Sequence, residues 1–172
     1  LIGDVLNIAR IESGAIRFNF RKADLAELAR DVIRSYIEIA RGKKIEISLN
    51  TESSATVFCD EKWISQAIGN LLKNAIDYSP EGGSVAVSIS RSETYAYLSV
   101  SDEGPGVSQE DSSKIFQSFY RGSSAGRSKK GSGLGLSLAK AIIERHQGDI
   151  KLKSSTERGS TFTIELPVRR EE

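Results

Sequence analysis

The chain has 172 residues, 24 Lys+Arg against 23 Asp+Glu for a net charge of +1, one histidine, one cysteine and no methionine. One His and one Cys exclude a zinc ribbon, a multi-histidine metal centre and an intrachain disulfide framework, and a lone thiol fits a reducing compartment. Near-neutral charge argues against a nucleic-acid surface, no apolar run reaches the ~20 residues of a membrane span, and the length suits one domain, with or without a stub.

Leu1 to Ser13 reads as the end of a helix, with Ile2, Val5, Leu6, Ala9 and Ile11 near helical or heptad spacing and Ser13-Gly14 as the stop. No cap signal or Met opens it, so it is expected to continue an upstream helix of a longer protein. A helix docked on its own domain is the alternative. Ile16 to Phe20 alternates as a short strand. Asp24 is placed to cap a helix running to about Ala40 and ended by Gly42. Lys44–Leu49 and Ala55–Cys59 read as strands, and Asp60 caps a helix over Glu61 to Tyr78. Gly82-Gly83 is a turn, and the runs around Val85–Ile89 and Tyr95–Ser99 form a hairpin. Seven of the 15 glycines lie between Gly104 and Gly135, so the texture changes there. Ser118 to Lys130 reads as a mobile loop. A helix follows from about Leu134 to His146, ended by Gly148, and strands near Ile150–Ser154 and Thr161–Leu166 close the chain. Helices and strands do not alternate strictly, which favours a layered α+β sandwich over a doubly wound sheet.

Three segments carry chemistry. Asn70 and Asn74 lie four residues apart on one helix face, which Asp77 and Tyr78 extend. Asparagine is a poor helix former, and an amide oxygen is a hard ligand for Mg²⁺; a helix whose asparagines face water is the plainer reading. Asp102-Glu-Gly104-Pro-Gly106-Val107 follows a strand, where a carboxylate can accept an adenine amine and glycines admit a flat ligand; a simple turn is the alternative. Gly131-Ser-Gly133-Leu-Gly135-Leu136 opens a helix, an arrangement that favours anions. It lacks the strand–turn–helix context of a dinucleotide fingerprint and the Lys of a P-loop. Phe116 and Phe119, at i and i+3, read as helix core, and Tyr120-Arg121 precedes the loop.

Taken in this order, the segments closely resemble the catalytic and ATP-binding domain of sensor histidine kinases. Asn70–Pro80 is similar to the family's N box, Asp102–Gly106 to its G1 box, Phe116–Phe119 to its F box and Gly131–Gly135 to its G2 box. The resemblance spans about Ala23 to Val168, with Gly159-Ser-Thr161-Phe162 as a closing G3-type segment. It divides the chain into residues 1–14, the end of the second helix of a dimerisation and phosphoacceptor domain, and residues 15–172, the catalytic domain with an ATP lid over about 120–132.

The resemblance implies a two-layer α/β sandwich of the type shared with Hsp90, MutL and DNA gyrase ATPases, a mixed sheet packed on about three helices. It implies ATP and Mg²⁺ as ligands. Asn74 would ligate the metal, with Asn70 beside the phosphates. Asp102 would take the adenine amine, helped by Thr161 through water, with Tyr78, Gly104, Gly106 and Val107 around the base. Gly131, Gly133, Leu134, Gly135 and Leu136 would hold the phosphates, Tyr120 and Arg121 would line the site, and Lys114 would face the γ-phosphate. Asp77 departs from the family's usual basic residue; Lys73, or Lys129 and Lys130, is expected to offset it. Same-fold ATPases carry a Glu where this chain has Asn70, and a neutral amide cannot take a proton from water. The activity implied is therefore transfer of phosphate to a histidine. A same-fold ATPase or serine kinase, and a nucleotide-binding module without transfer, are the competing readings. The implied partners are the phosphoacceptor domain of the same parent and a response regulator receiver domain, with no nucleic acid. The parent would be a homodimer and this fragment a monomer, a cytoplasmic domain of a parent with or without an inner-membrane anchor. His146 ends a helix, where a protonated ring would suit the helix dipole; Gln147 after it is not the acidic neighbour of an acceptor histidine. The chain is expected to bind ATP without phosphorylating itself.

Overall fold

The computed structural model describes residues 2–123, 131–155 and 157–168. In chain order the elements are α1 (Ile2–Glu12), β1 (Arg21–Asp24), α2 (Leu25–Gly42), β2 (Glu46–Thr51), β3 (Thr56–Cys59), α3 (Glu61–Tyr78), β4 (Ser84–Arg91), β5 (Tyr95–Asp102), α4 (Gln109–Ser112), α5 (Gly135–Arg145), β6 (Asp149–Ser155) and β7 (Gly159–Pro167).

Five strands form one mixed sheet in the order β2-β4-β5-β7-β6. β2 runs parallel to β4, and the other neighbours are antiparallel. Strand alternation sends Val85, Val87, Ile89, Leu98, Val100, Phe162 and Ile164 to the helix-covered face, where they are buried. The helices answer with Leu25 and Ala29 of α2, Ile64, Ile68, Leu71 and Leu72 of α3, and Leu138 and Ile142 of α5. Each such aliphatic side chain contributes about 1.5–3 kcal/mol by leaving water. This is the expected α+β sandwich. The open face of the sheet is polar, with cross-strand hydroxyl pairs Ser99–Thr163 and Ser101–Thr161 at 2.8 Å each.

Both capping aspartates act as expected. Asp24 Oδ1 accepts from the Ala26 N–H at 2.8 Å. Asp60 Oδ1 accepts from the Trp63 N–H at 3.3 Å, and its Oδ2 from the Asn19 N–H at 2.7 Å.

Several expectations shift. Residues 16–20 are not a strand; the strand is β1, paired with β3 in a separate two-stranded sheet. The alternation there reflects aromatic clustering instead: Phe18 packs against Trp63 and His146, and Phe20 against Phe58 and His146. Gly42 lies inside α2, and Lys44 rather than glycine takes the left-handed turn at φ 56°. Phe116 and Phe119 do not share a helix. Phe116 packs edge-on against Phe162, whereas Phe119 is 61% exposed at φ 66°. The expected loop over 118–130 falls partly outside the described residues.

α1 docks on α5 through Ile8 and Ile11, and the Arg145 guanidinium donates to the Ile11 carbonyl at 2.6 Å. Ile2, Val5 and Leu6 of the same helix remain exposed. No helix among the described residues is long and apolar enough to cross a membrane.

His146 is buried. Its Nδ1 bonds the Ile142 carbonyl at 2.7 Å, and its Nε2 accepts the Asp60 N–H at 3.1 Å. A carbonyl only accepts and an amide N–H only donates, so the ring is the neutral Nδ1–H tautomer. It caps the helix as expected, but without the expected charge.

Candidate functional site

The segments singled out in the sequence converge on one cleft of about 230 Å³ between α3, the C-terminal end of β5, the 119–123 segment and the start of α5. α3 contributes Asn70, Asn74, Asp77 and Tyr78 to its wall. They line up because residues three and four apart share a helix face, while Leu71, Leu72, Ala75 and Ile76 turn into the core. The Asn70 Nδ2 donates to the Gly135 carbonyl at 3.0 Å. Among the described residues Asn74 makes no side-chain hydrogen bond, although it is half-buried in the wall. Lys43 anchors the helix end: its Nζ donates to the carbonyls of Ile76, Asp77 and Ser79 at 2.7, 2.9 and 2.8 Å.

Asp102 ends β5 and is 7% exposed. Its Oδ1 accepts from the Gly104 N–H at 2.8 Å and the Ser160 N–H at 3.3 Å. Gly159 brings β7 so close that a Cβ there would overlap the Asp102 carbonyl, and its φ of 85° suits only glycine. Gly106 and Val107 line the cleft, and the Val107 N–H donates to Ser154 Oγ at 2.7 Å. Gly104 stays behind the wall, against the Tyr78 carbonyl.

Gly131, Gly133, Gly135 and Leu136 line the opposite side. The N-cap residue of α5, Leu134, makes no side-chain cap bond, which leaves the first N–H groups of the helix without that capping oxygen. Gly133, at φ 72°, packs on the backbone of Phe119 and Tyr120, where a Cβ would come within 2.8 Å.

Besides Gly104, three expected site residues are corrected. Thr161 does not reach the cleft, because alternation points it to the open sheet face, where it pairs with Ser101. Its neighbour Ser160 lies in the cleft beside Asp102 instead. Leu134 is fully buried in the core. Lys114 points away, with its Nζ 3.9 Å from Glu110. Two basic side chains that do line the cleft are Lys73 and Arg121. Lys73, the basic residue expected to offset Asp77, pairs with its carboxylate at 2.6 Å. Lys129 and Lys130 lie outside the described residues.

Asp4, Asp111, Ser160 and Phe162 also line the cleft and were not expected. Strand alternation counted back from Phe162 would have found Ser160. The Ser108-x-x-Asp111 spacing signals a helix cap, which forms as the Asp111 N–H donates to Ser108 Oγ at 3.1 Å. Nothing local signals what the Asp111 carboxylate does. It is buried and accepts from the Tyr120 hydroxyl at 2.5 Å, Ser123 Oγ at 2.7 Å and the Ser123 N–H at 3.1 Å. The Tyr120 and Ser123 hydrogen bonds hold its pKa well below the carboxylate range, and the same bond to Asp111 raises that of Tyr120.

The described wall thus sets four aspartates against two basic side chains. Among the described residues no cluster of His, Cys, Asp or Glu is arranged to hold a metal. Asn74 offers one hard oxygen that makes no hydrogen bond among the described residues, which fits an ion that keeps waters and takes its other ligands from phosphates.

Residues 59–170 match the family described as "Histidine kinase-, DNA gyrase B-, and HSP90-like ATPase". The chain belongs to this family. In this ATP-binding fold the chain is similar to the catalytic domain of histidine kinase ThkA, at 30% identity over 90% of this chain and 100% of that one, with a TM-score of 0.78. It is similar to histidine kinase AdeS of Acinetobacter baumannii, at 27% identity over 99% of this chain and 78% of that one, with a TM-score of 0.83. Sensor protein kinase PmrB of Pseudomonas aeruginosa is 39% identical over 97% of this chain. The chain spans about a third of that relative, 35% of its length.

Proposed function

We propose that this chain binds Mg·ATP in the cleft and transfers the γ-phosphoryl group to a histidine of a phosphoacceptor domain. The observation that carries the reading is Asn70. A water-activating carboxylate is absent from that position, and the amide is engaged with the Gly135 carbonyl. Hydrolysis then lacks its general base, and the phosphoryl group is kept for an imidazole nitrogen. The P–N bond forms as the bond to the β-phosphate oxygen breaks, with ADP as leaving group.

In this reading Asp102 accepts the adenine amine, with Tyr78, Gly106 and Val107 beside the base. The glycines and the uncapped start of α5 take the phosphates. Asn74 holds Mg²⁺, which when bound neutralises phosphate charge that the aspartate-rich wall would otherwise repel. Arg121 and Lys73 add positive charge.

Residues 1–14 are read as the end of a dimerisation and phosphoacceptor helix, and residues 15–172 as the catalytic domain. The parent is a homodimer that phosphorylates its own acceptor histidine and passes the group to a response regulator, with this domain on the cytoplasmic side. The fragment alone is a monomer. The names of relatives such as sensor protein kinase PmrB and sensor histidine kinase WalK, of which this chain spans 35% and 29%, support a longer sensor kinase as the parent.

The test is ATP labelled at the γ-position, incubated with this chain and a separate acceptor domain. Label on the acceptor and none on this chain is expected, since His146 is buried with both ring nitrogens bonded. Rapid release of inorganic phosphate, with no label on the acceptor, would reject the reading in favour of an ATPase.

A further inference from the structure

We propose that Asp111 is a positioning residue of this site: its carboxylate pins the Tyr120–Ser123 segment to the cleft wall and so sets affinity for the phosphate end of the nucleotide. The inference rests on the ATP reading above and deepens it.

Asp111 is 4% exposed, in the short helix α4. A buried carboxylate is strongly disfavoured unless it is bonded. Three of its donors come from one segment, with Ser108 at the cap of its own helix as a further side-chain partner. Oδ1 takes the Tyr120 hydroxyl, and Oδ2 takes both the hydroxyl and the N–H of Ser123. Gly122 between them sits over the same carboxylate, where an added Cβ would lie 3.2 Å from Oδ2. The carboxylate therefore dictates the path of residues 120–123, of which Tyr120, Arg121 and Gly122 line the cleft.

That path is tied to the glycine loop. The Phe119 N–H donates to the Gly133 carbonyl at 2.9 Å, and Gly133 rests on the Phe119–Tyr120 backbone. A carboxylate outside the expected motifs thus fixes the segment on which the phosphate loop leans. The adenine end, at Asp102, is held separately by Gly104 and Ser160. Loss of Asp111 should disturb one end of the ligand and spare the other, which a general loss of stability would not do.

The experiment titrates the full chain, with Mg²⁺ present, against ATP and, by competition, against adenosine. For Asp111→Asn the ATP Kd should rise about tenfold, as for a lost charged hydrogen bond, with the adenosine Kd changed less than about twofold. Tyr120→Phe should weaken ATP by a smaller factor, and the double variant should be no worse than Asp111→Asn alone. Equal ATP binding by Asp111→Asn and the parent would overturn the inference, as would equal losses for ATP and adenosine. If Asp111→Asn does not fold, unchanged ATP affinity in both Tyr120→Phe and Ser123→Ala overturns it equally. A parent chain that binds no ATP rejects the nucleotide reading itself, and this inference with it.

Discussion

The Asn70 amide and the Gly135 carbonyl, 3.0 Å apart, tie the asparagine helix to the helix opened by the glycine loop. The donor must be on residue 70, because the partner is a carbonyl. Asn70→Ala should lower stability by about 1 kcal/mol, and Asn70→Asp by more, because a carboxylate would face that carbonyl with no proton to share. Urea denaturation at neutral pH compares them, and an aspartate variant as stable as the alanine one would contradict the bond.

Asp102 should decide which base is bound. Its carboxylate only accepts, and adenine presents an amine where guanine presents a carbonyl. The parent should prefer ATP to GTP, and Asp102→Asn should lose most of that preference, with ATP affinity down by about tenfold or more. Calorimetric titration with both nucleotides measures this; an unchanged preference would place the base elsewhere.

The four aspartates in the cleft wall make metal dependence unavoidable in this reading. Chelating Mg²⁺ should weaken ATP binding by about tenfold or more, because the triphosphate then meets uncompensated negative charge. Asn74→Ala should bind ATP almost equally with and without Mg²⁺. If that variant keeps the full metal effect, Asn74 is not the ligand.

Cys59 gives the clearest pH signature. The thiol is fully buried, and desolvation, with Glu61 and Asp60 nearby, pushes its pKa up to about 12. The unfolded thiol titrates near ~8.5. The folded chain therefore holds this proton over a range where the unfolded chain releases it. Its contribution is fully present below about pH 8.5 and is lost as pH rises towards 12. The stability gap between the parent and Cys59→Ala should shrink across that window in urea titrations. A gap that stays flat to within ~0.3 kcal/mol from about pH 8 to 10.5 would mean the thiol is not shielded. Native protein at pH 8 should also resist thiol reagents.

Much of this was legible locally. The 3.6-residue period of α3 places Asn70, Asn74, Asp77 and Tyr78 on one stripe whatever surrounds it, and Asp24 and Asp60 announce their helices through cap bonds that span only two or three residues. The resemblance of the boxes supplied the rest of the site's outline. It misled where one residue's step matters: period-two alternation turns Thr161 to the open sheet face and Ser160 inward.

What the sequence by itself determined is therefore most of the amphipathic elements, the two aspartate caps and the family. Tertiary structure alone decided which polar groups meet. Lys43 reaches carbonyls more than thirty residues away at the end of α3, His146 meets Asp60 across 86 positions, and Lys114 is left outside the cleft. The physical reason is range. Helix periodicity and capping are set by neighbours within a turn or two, whereas a buried charge such as Asp111 is satisfied only by donors that the packed fold delivers.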